Sequence, residues 1–198
     1  GMGQILDIVP NHMSISSADN TWWWDVLENG QSSRYASYFD VDWDPVDSRF
    51  ANKILLPILH DHFGRVLEAG EIRLERRGGA FFIRYREQVF PVDPSSLAPL
   101  LSRAGEDLAN GELLFIADSL GSLPLHSATD RISTRRRHRD KEIIRTLLGR
   151  ILDENLEAAR LVDALIKELN VHPDSLEALL DRQNYRLAFW RTASQDLG

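Results

Sequence analysis

The sequence predicts an α+β fold, mostly helical with one small antiparallel sheet. Three observations carry that expectation. Residues 71–92 alternate and turn like a short meander, residues beyond Pro94 carry apolar stripes at helical spacing, and Ile5, Leu6, Ile8 and Val9 form a near-continuous β-forming run. The chain divides into 3–13 (the strand and the residues just after it), 14–94 (a loop region and the small sheet) and 95–198 (a helical segment).

The first run reads as a strand buried on both faces, as in a parallel sheet, and Pro10 stops it because proline has no N–H for the ladder. Asp7 lies inside the run, where a carboxylate is costly unless paired. Asn11 and His12 follow its C-terminal end, where parallel α/β folds build their sites. Ser14 to Asn20 reads as a loop. Trp22, Trp23 and Trp24 cannot all face one way, so at least one is expected at the surface or lining a cleft, and two in a cluster sealing the loop. A pyranose has an apolar C–H face that such a ring can cover, and Trp23 is taken as the stacking residue. Asp40, Asp42 and Asp44 alternate with Val41 and Trp43, but the Gly and Glu of an EF-hand loop are replaced by Pro45 and Ala51, and no metal site is assigned. His60 and His62 have no third ligand at a plausible spacing. Lys53 to Leu59 reads as a short strand and His62 to Ala69 as a helical turn ended by Gly70. Glu71 to Arg76, Gly78-Gly79 and Ala80 to Arg86 form a hairpin, and Gln88 to Val92 a third strand.

Everything after Pro94 is expected to be helical. Ser95 or Ser96 caps a first helix that Gly105 closes, and Glu112 to Leu120 forms a second. Arg135 to Arg139 with Lys141 reads as a solvated, partly ion-paired helix start. Ile143, Ile144, Leu147, Leu148, Ile151 and Leu152 continue as a stripe, and Leu156 to Leu169 holds another. Asp174-Ser-Leu-Glu177 resembles a capping box opening a last helix that runs to about Gln195.

Composition narrows the functions. The 198 residues are 43% hydrophobic and 27% charged, an ordinary globular balance. A net charge of −7 argues against general nucleic-acid binding, no run approaches a membrane span, and the absence of cysteine removes thiol chemistry and fits a cytoplasmic protein.

The spacing Asp7-x-x-x-Asn11-His12 resembles the first signature region of the α-amylase superfamily. Trp-x-Asp-Val-Leu-Glu-Asn-Gly over residues 23–30 and Ser-x-Tyr-Ala-x-Tyr-Phe-Asp-x-Asp-Trp over 33–43 are similar to one branch, the maltooligosyl trehalose synthases. Weaker words of that kind are Ile54-Leu55-Leu56-Pro57, Leu67-Glu68-x-Gly70-Glu71 and Tyr185-Arg186-Leu187-Ala188-x-Trp190-Arg191. The resemblance implies a fragment of a (β/α)8 barrel enzyme, with residues 3–13 as barrel strand three and an inserted subdomain after it. It implies an intramolecular transglycosylase that turns the reducing-end α-1,4 linkage of a maltooligosaccharide into an α,α-1,1 linkage, with no cofactor. His12, Asp7, Asn11 and Trp23 are the substrate-binding residues so implied. The Arg-x-Asp nucleophile motif is not found in these residues, so the catalytic carboxylates are expected beyond residue 198 and the fragment is expected to be inactive. Two alternatives stand: a non-catalytic maltooligosaccharide-binding or assembly module, and part of an α-glucan hydrolase of the same superfamily. The partner is the oligosaccharide, with neither nucleic acid nor membrane, and exposed fragment surfaces are expected to permit a non-native dimer.

Overall fold

A computed structural model describes residues 20–193. The signature residues Asp7, Asn11 and His12, and the strand expected over 5–9, lie outside the described residues. The architecture is α+β: helices in the majority, a three-stranded antiparallel sheet, and a separate parallel pair.

Helix α1 (Thr21–Asn29) starts where the Asn20 side chain accepts the N–H groups of Trp22 and Trp23 at 3.2 and 3.0 Å. It ends at Gly30, whose φ of +58° is left-handed and whose missing side chain leaves room for Asn184. Three 3-10 turns (Gly30–Ser32, Ala36–Tyr38, Ser48–Phe50) carry the chain to β1 (Ile54–Leu59). Helix α2 (Phe63–Glu68) leads into the meander β2 (Ile72–Arg77), β3 (Ala80–Tyr85) and β4 (Gln88–Pro91). Leu74 pairs with Ile83 and Ile83 with Phe90, so one face is apolar. Arg84 on the other face pairs with Glu75 at 2.9 Å.

A 3-10 turn (Pro94–Leu97) capped by Asp93 precedes α3 (Ala98–Asp107). Gly105 does not close this helix; it lies within it, where its lack of a side chain admits Leu114 of α4 (Gly111–Gly121). The longest helix, α5 (Arg131–Glu154), begins a turn before the basic cluster at Arg135, because Asp130 accepts the N–H groups of Ile132 and Ser133. Helix α6 (Leu156–Val171) packs on β2. There the Asn170 side chain donates to Leu74 O and accepts from Leu74 N, closing part of the open edge of β2 as a strand would.

Two sequence readings are corrected at the C-terminal end. Helix α7 (Pro173–Leu180) has Pro173 in its first turn and no side-chain cap, so the Asp174–Glu177 box is not used. Nor does it run to Gln195. It stops at Leu180, and Tyr185–Phe189 form strand β5, followed by the short helix α8 (Trp190–Ala193). Tyr185 and Leu187 alternate into the core, and β5 lies parallel to β1 with Ile54 opposite Tyr185 and Leu56 opposite Leu187. The register shifts between Leu56 and Leu59, around Pro57, which has no N–H to give to the ladder. Lys53 ties the strand starts together, donating to Asp181 O and Gln183 O at 2.6 and 2.9 Å. No helix among the described residues is long and apolar enough to cross a membrane.

Candidate functional site

The tryptophans of α1 separate by helical geometry. Trp23 is 7% exposed and packs its ring 4.9 Å from Phe39, while Trp22 is 40% exposed. Trp22 stacks on Tyr35 with ring centroids 5.0 Å apart and planes within 7°, and Tyr38 lies 5.2 Å from Trp22 on a tilt. Tyr38 is 64% exposed. The result is a three-ring aromatic face open to water. Beside it, Trp23, Trp24 and Leu27 of α1 face Ile54–Ile58 of β1 and Gln88–Phe90 of β4 across a mainly apolar cleft of about 340 Å³. Of the residues assigned to sugar from sequence, Trp23 is a buried member of this cleft wall; Asp7, Asn11 and His12 lie outside the described residues.

A relay of hydrogen bonds holds Tyr35 against Trp22. The Tyr35 N–H donates to Ser33 Oγ at 3.0 Å, and Ser33 Oγ donates to Asp25 Oδ2 at 2.5 Å. Asp25 Oδ1 faces the Lys141 ammonium at 3.4 Å and the His138 ring at 3.5 Å. One turn on, Glu28 is buried between Lys141 and Arg145. His138 donates from Nε2 to Ser32 O at 3.1 Å, and burial lowers its pKa below the ordinary histidine value, against the pull of Asp25.

The inner end of α1 meets a second buried hub. Arg137, 1% exposed, donates to Asp93 Oδ2 at 2.9 Å, to Pro124 O at 2.7 Å and to Asn29 Oδ1 at 3.3 Å. Asn184 also donates to Asp93 Oδ2, and to Leu27 O and Glu28 O, while Gln183 Oε1 accepts the Asp93 N–H. The sequence reading of 135–141 as a solvated helix start is therefore corrected in half its residues. Arg135, Arg136 and Arg139 are exposed, whereas Arg137, His138 and Lys141 are buried and paired. Sequence reasoning passed over Arg137, Asp93, Gln183 and Asn184. A signal existed for Arg137 and Lys141: counted back from Ile151, Leu148 and Ile144, the same helix face passes through them at spacings of three and four.

The two hubs differ chemically from a catalytic pair. Their carboxylates each sit opposite a cation that fixes them in place, whereas a catalytic pair faces the reacting bond as one acid and one base. Asp40, Asp42 and Asp44 are exposed on a turn, and no group of three or more metal-ligating side chains occurs among the described residues. His60 accepts or donates through Nδ1 at 2.8 Å to Tyr85 Oη, and its other nitrogen faces Glu71 at 3.6 Å. What the face of Trp22, Tyr35 and Tyr38 can do is bind: it offers flat apolar surface at fixed geometry.

No family model matches the chain, and no solved structure matches it. Two curated proteins of Mycobacterium tuberculosis, from strains CDC 1551 and H37Rv, are each 39% identical to it over 97 residues, and both bear the name "Putative maltooligosyl trehalose synthase". The matched stretch is 48% of this chain and 11% of each relative, so the chain spans a small part of their length. The signature words and this comparison point to the same branch of proteins.

Proposed function

We propose that this chain is the sugar-facing insert of an enzyme that rearranges α-glucans by intramolecular transglycosylation, converting the reducing-end α-1,4 linkage of a maltooligosaccharide to an α,α-1,1 linkage. The observation that supports it most is the 39% identity to proteins of that name, reinforced by what residues 20–43 build. The word at 23–30 supplies half-buried Asp25 and buried Glu28 and Asn29, and the word at 33–43 supplies Tyr35 and Tyr38 to an open aromatic face.

The reaction needs two carboxylates about 5 Å apart across the anomeric carbon, one ionised and one protonated. It also needs water kept away while the glycosyl group turns around. In this reading residues 20–193 contribute the second requirement. The stacked rings hold a glucosyl unit, and the Asp25–Lys141 hub fixes the helix that carries Trp22. Asp7, Asn11 and His12 are assigned to the sugar in the reacting subsite, and the chain by itself has no turnover.

The longer protein, given maltopentaose, is expected to lose reducing ends without releasing glucose. Glucose and shorter reducing sugars as the products would replace this reading with an ordinary hydrolase. The open aromatic face also favours a second reading, a glucan-binding module without catalysis. For the 198-residue chain, maltopentaose is expected to quench tryptophan fluorescence, and Trp22→Ala to remove most of that quench. A flat titration of folded wild-type chain would remove the binding module.

A further inference from the structure

Words far apart in the sequence meet in the parallel pair. Ile54-Leu55-Leu56-Pro57 lies in β1 and Tyr185-Arg186-Leu187-Ala188 in β5, and the two strands run in the same direction. Their C-terminal ends therefore lie together, and sites in parallel sheets form beyond that edge. Leu59 is opposite Phe189, so His60-Asp61-His62 leave one strand where Trp190-Arg191 leave the other.

This edge carries an aromatic group and fixed polar groups at once. The His62 ring lies 5.1 Å from the Phe189 ring, and Phe189 meets Trp190 edge-on at 6.3 Å. Helix α8 packs back on β1, yet Trp190 is 51% exposed, with the Arg191 guanidinium 5.1 Å from its ring centre. His60 is pinned by the Tyr85 hydroxyl, which bonds both its ring and its backbone N–H, and it faces Glu71, which also pairs with Arg86. Asp61 is held below the usual carboxylate range, first by the His62 N–H and then by Arg65, so it stands as an ionised acceptor. Charges of both signs crowd the rim. A phosphorylated ligand would meet Asp61 and Glu71, and a cationic one Arg65, Arg86 and Arg191. A neutral polyhydroxylated ring uses donors and acceptors alike and lays its C–H face on the indole.

We propose that the C-terminal edge of the β1–β5 pair is a second glucosyl-binding subsite, centred on Trp190 with Asp61 and His60 as its hydrogen-bonding rim. It is carried by elements other than the Trp22 face. Its ligand class, an α-linked glucan, rests on the function proposed above.

The chain has five tryptophans, hence five indole N–H resonances, and Trp22→Phe and Trp190→Phe identify two of them in the ¹⁵N-labelled 198-residue protein. Titration with maltopentaose is expected to shift the Trp190 resonance saturably. Trp190→Ala is expected to weaken binding by about tenfold, the scale of one lost aromatic contact. A shift at Trp22 with Trp190 unmoved overturns the subsite and leaves the proposed function standing. A shift at Trp190 alone supports the subsite and counts against the Trp22 face. No shift at either overturns both, and an equal Trp190 shift with β-linked cellopentaose overturns the α-glucan assignment.

Discussion

Two arginine–carboxylate pairs in this molecule share one contact distance and differ in nearly everything else. Arg137 meets Asp93 at 2.9 Å, and Arg103 of α3 meets Glu168 of α6 at 2.9 Å. The first pair is 1% exposed on both sides; the second is 55% and 46% exposed. In water the attraction is screened and ordering two long side chains offsets most of it. Inside, neither charge can be left without the other, because desolvation of a lone ion exceeds what folding can spare. The buried pair therefore decides whether α1, the Asp93 turn, α5 and the Gln183-Asn184 segment sit together at all. The exposed pair decorates a surface that α3 and α6 already hold by apolar contact.

The largest effect is expected from cutting the buried pair. Arg137→Ala leaves Asp93 buried without its cation, with Asn29 and the Pro124 carbonyl short of a donor. A loss of about 3–5 kcal/mol in urea unfolding is expected. A loss comparable to that of an exposed pair would show that water reaches Asp93 and that the hub is not what holds α1.

A second break tests the same helix without touching charge. The β2–β3 turn lies against the backbone of α5, and a Cβ on Gly79 would sit 2.5 Å from Arg145 O and 2.6 Å from Gly149 N. Backbone must move to admit it, so Gly79→Ala is expected to cost about 1–3 kcal/mol. A Cβ on Gly149 meets nothing nearer than 3.5 Å. Gly149→Ala, in a helix interior, is expected to be neutral or stabilising by about 0.5–1 kcal/mol. Equal effects at the two glycines would show that the turn does not press on α5.

How much of this was legible follows the difference between local and distant causes. The meander was plain because its signals are local: alternation, then Gly78-Gly79, then alternation again. The helical stripes were plain because Ile144, Leu148 and Ile151 repeat at helical spacing. Strand β5 was hidden because Tyr185 to Trp190 is also an acceptable helix face, and what makes it a strand is β1, far away in the sequence. Arg137 and Lys141 were hidden for a like reason. A run of five basic residues in six looks solvated, and only Asp93, Asp25 and Glu28 arriving from other elements make burial of two of them affordable. The site was legible as words and not as roles. Three tryptophans in a row told that one would be exposed, but helical phase, set by where Asn20 caps, selected Trp22.

A smaller effect, and a signed one, concerns pH. Burial lowers the pKa of His138, and of His126, below the ordinary value near 6.5. Above that value neither state binds the proton, and the stabilisation is fully present. As pH falls through it the unfolded chain protonates first, so stability declines, and the decline continues until the lower folded-state pKa is reached. Replacing His138 with Gln, which keeps a donor toward Ser32 O, is expected to flatten that part of the stability–pH curve. An unchanged slope in both His138→Gln and His126→Gln would place the acid sensitivity in the carboxylates instead.

The smallest effect is expected at the exposed pair, and it closes the comparison. Glu168 sits below the usual carboxylate range, first through its hydrogen bonds from Arg103 and then through that charge, so the contact is formed and favours ionised Glu168. Formation is not stabilisation, however, when both partners are equally content in water. Glu168→Gln is expected to leave the urea midpoint within measurement scatter, and to do so in low salt and in 1 M salt alike. A midpoint that drops clearly in low salt and recovers in high salt would show this pair to be stronger than its exposure allows, and burial would no longer account for the difference between the two arginines.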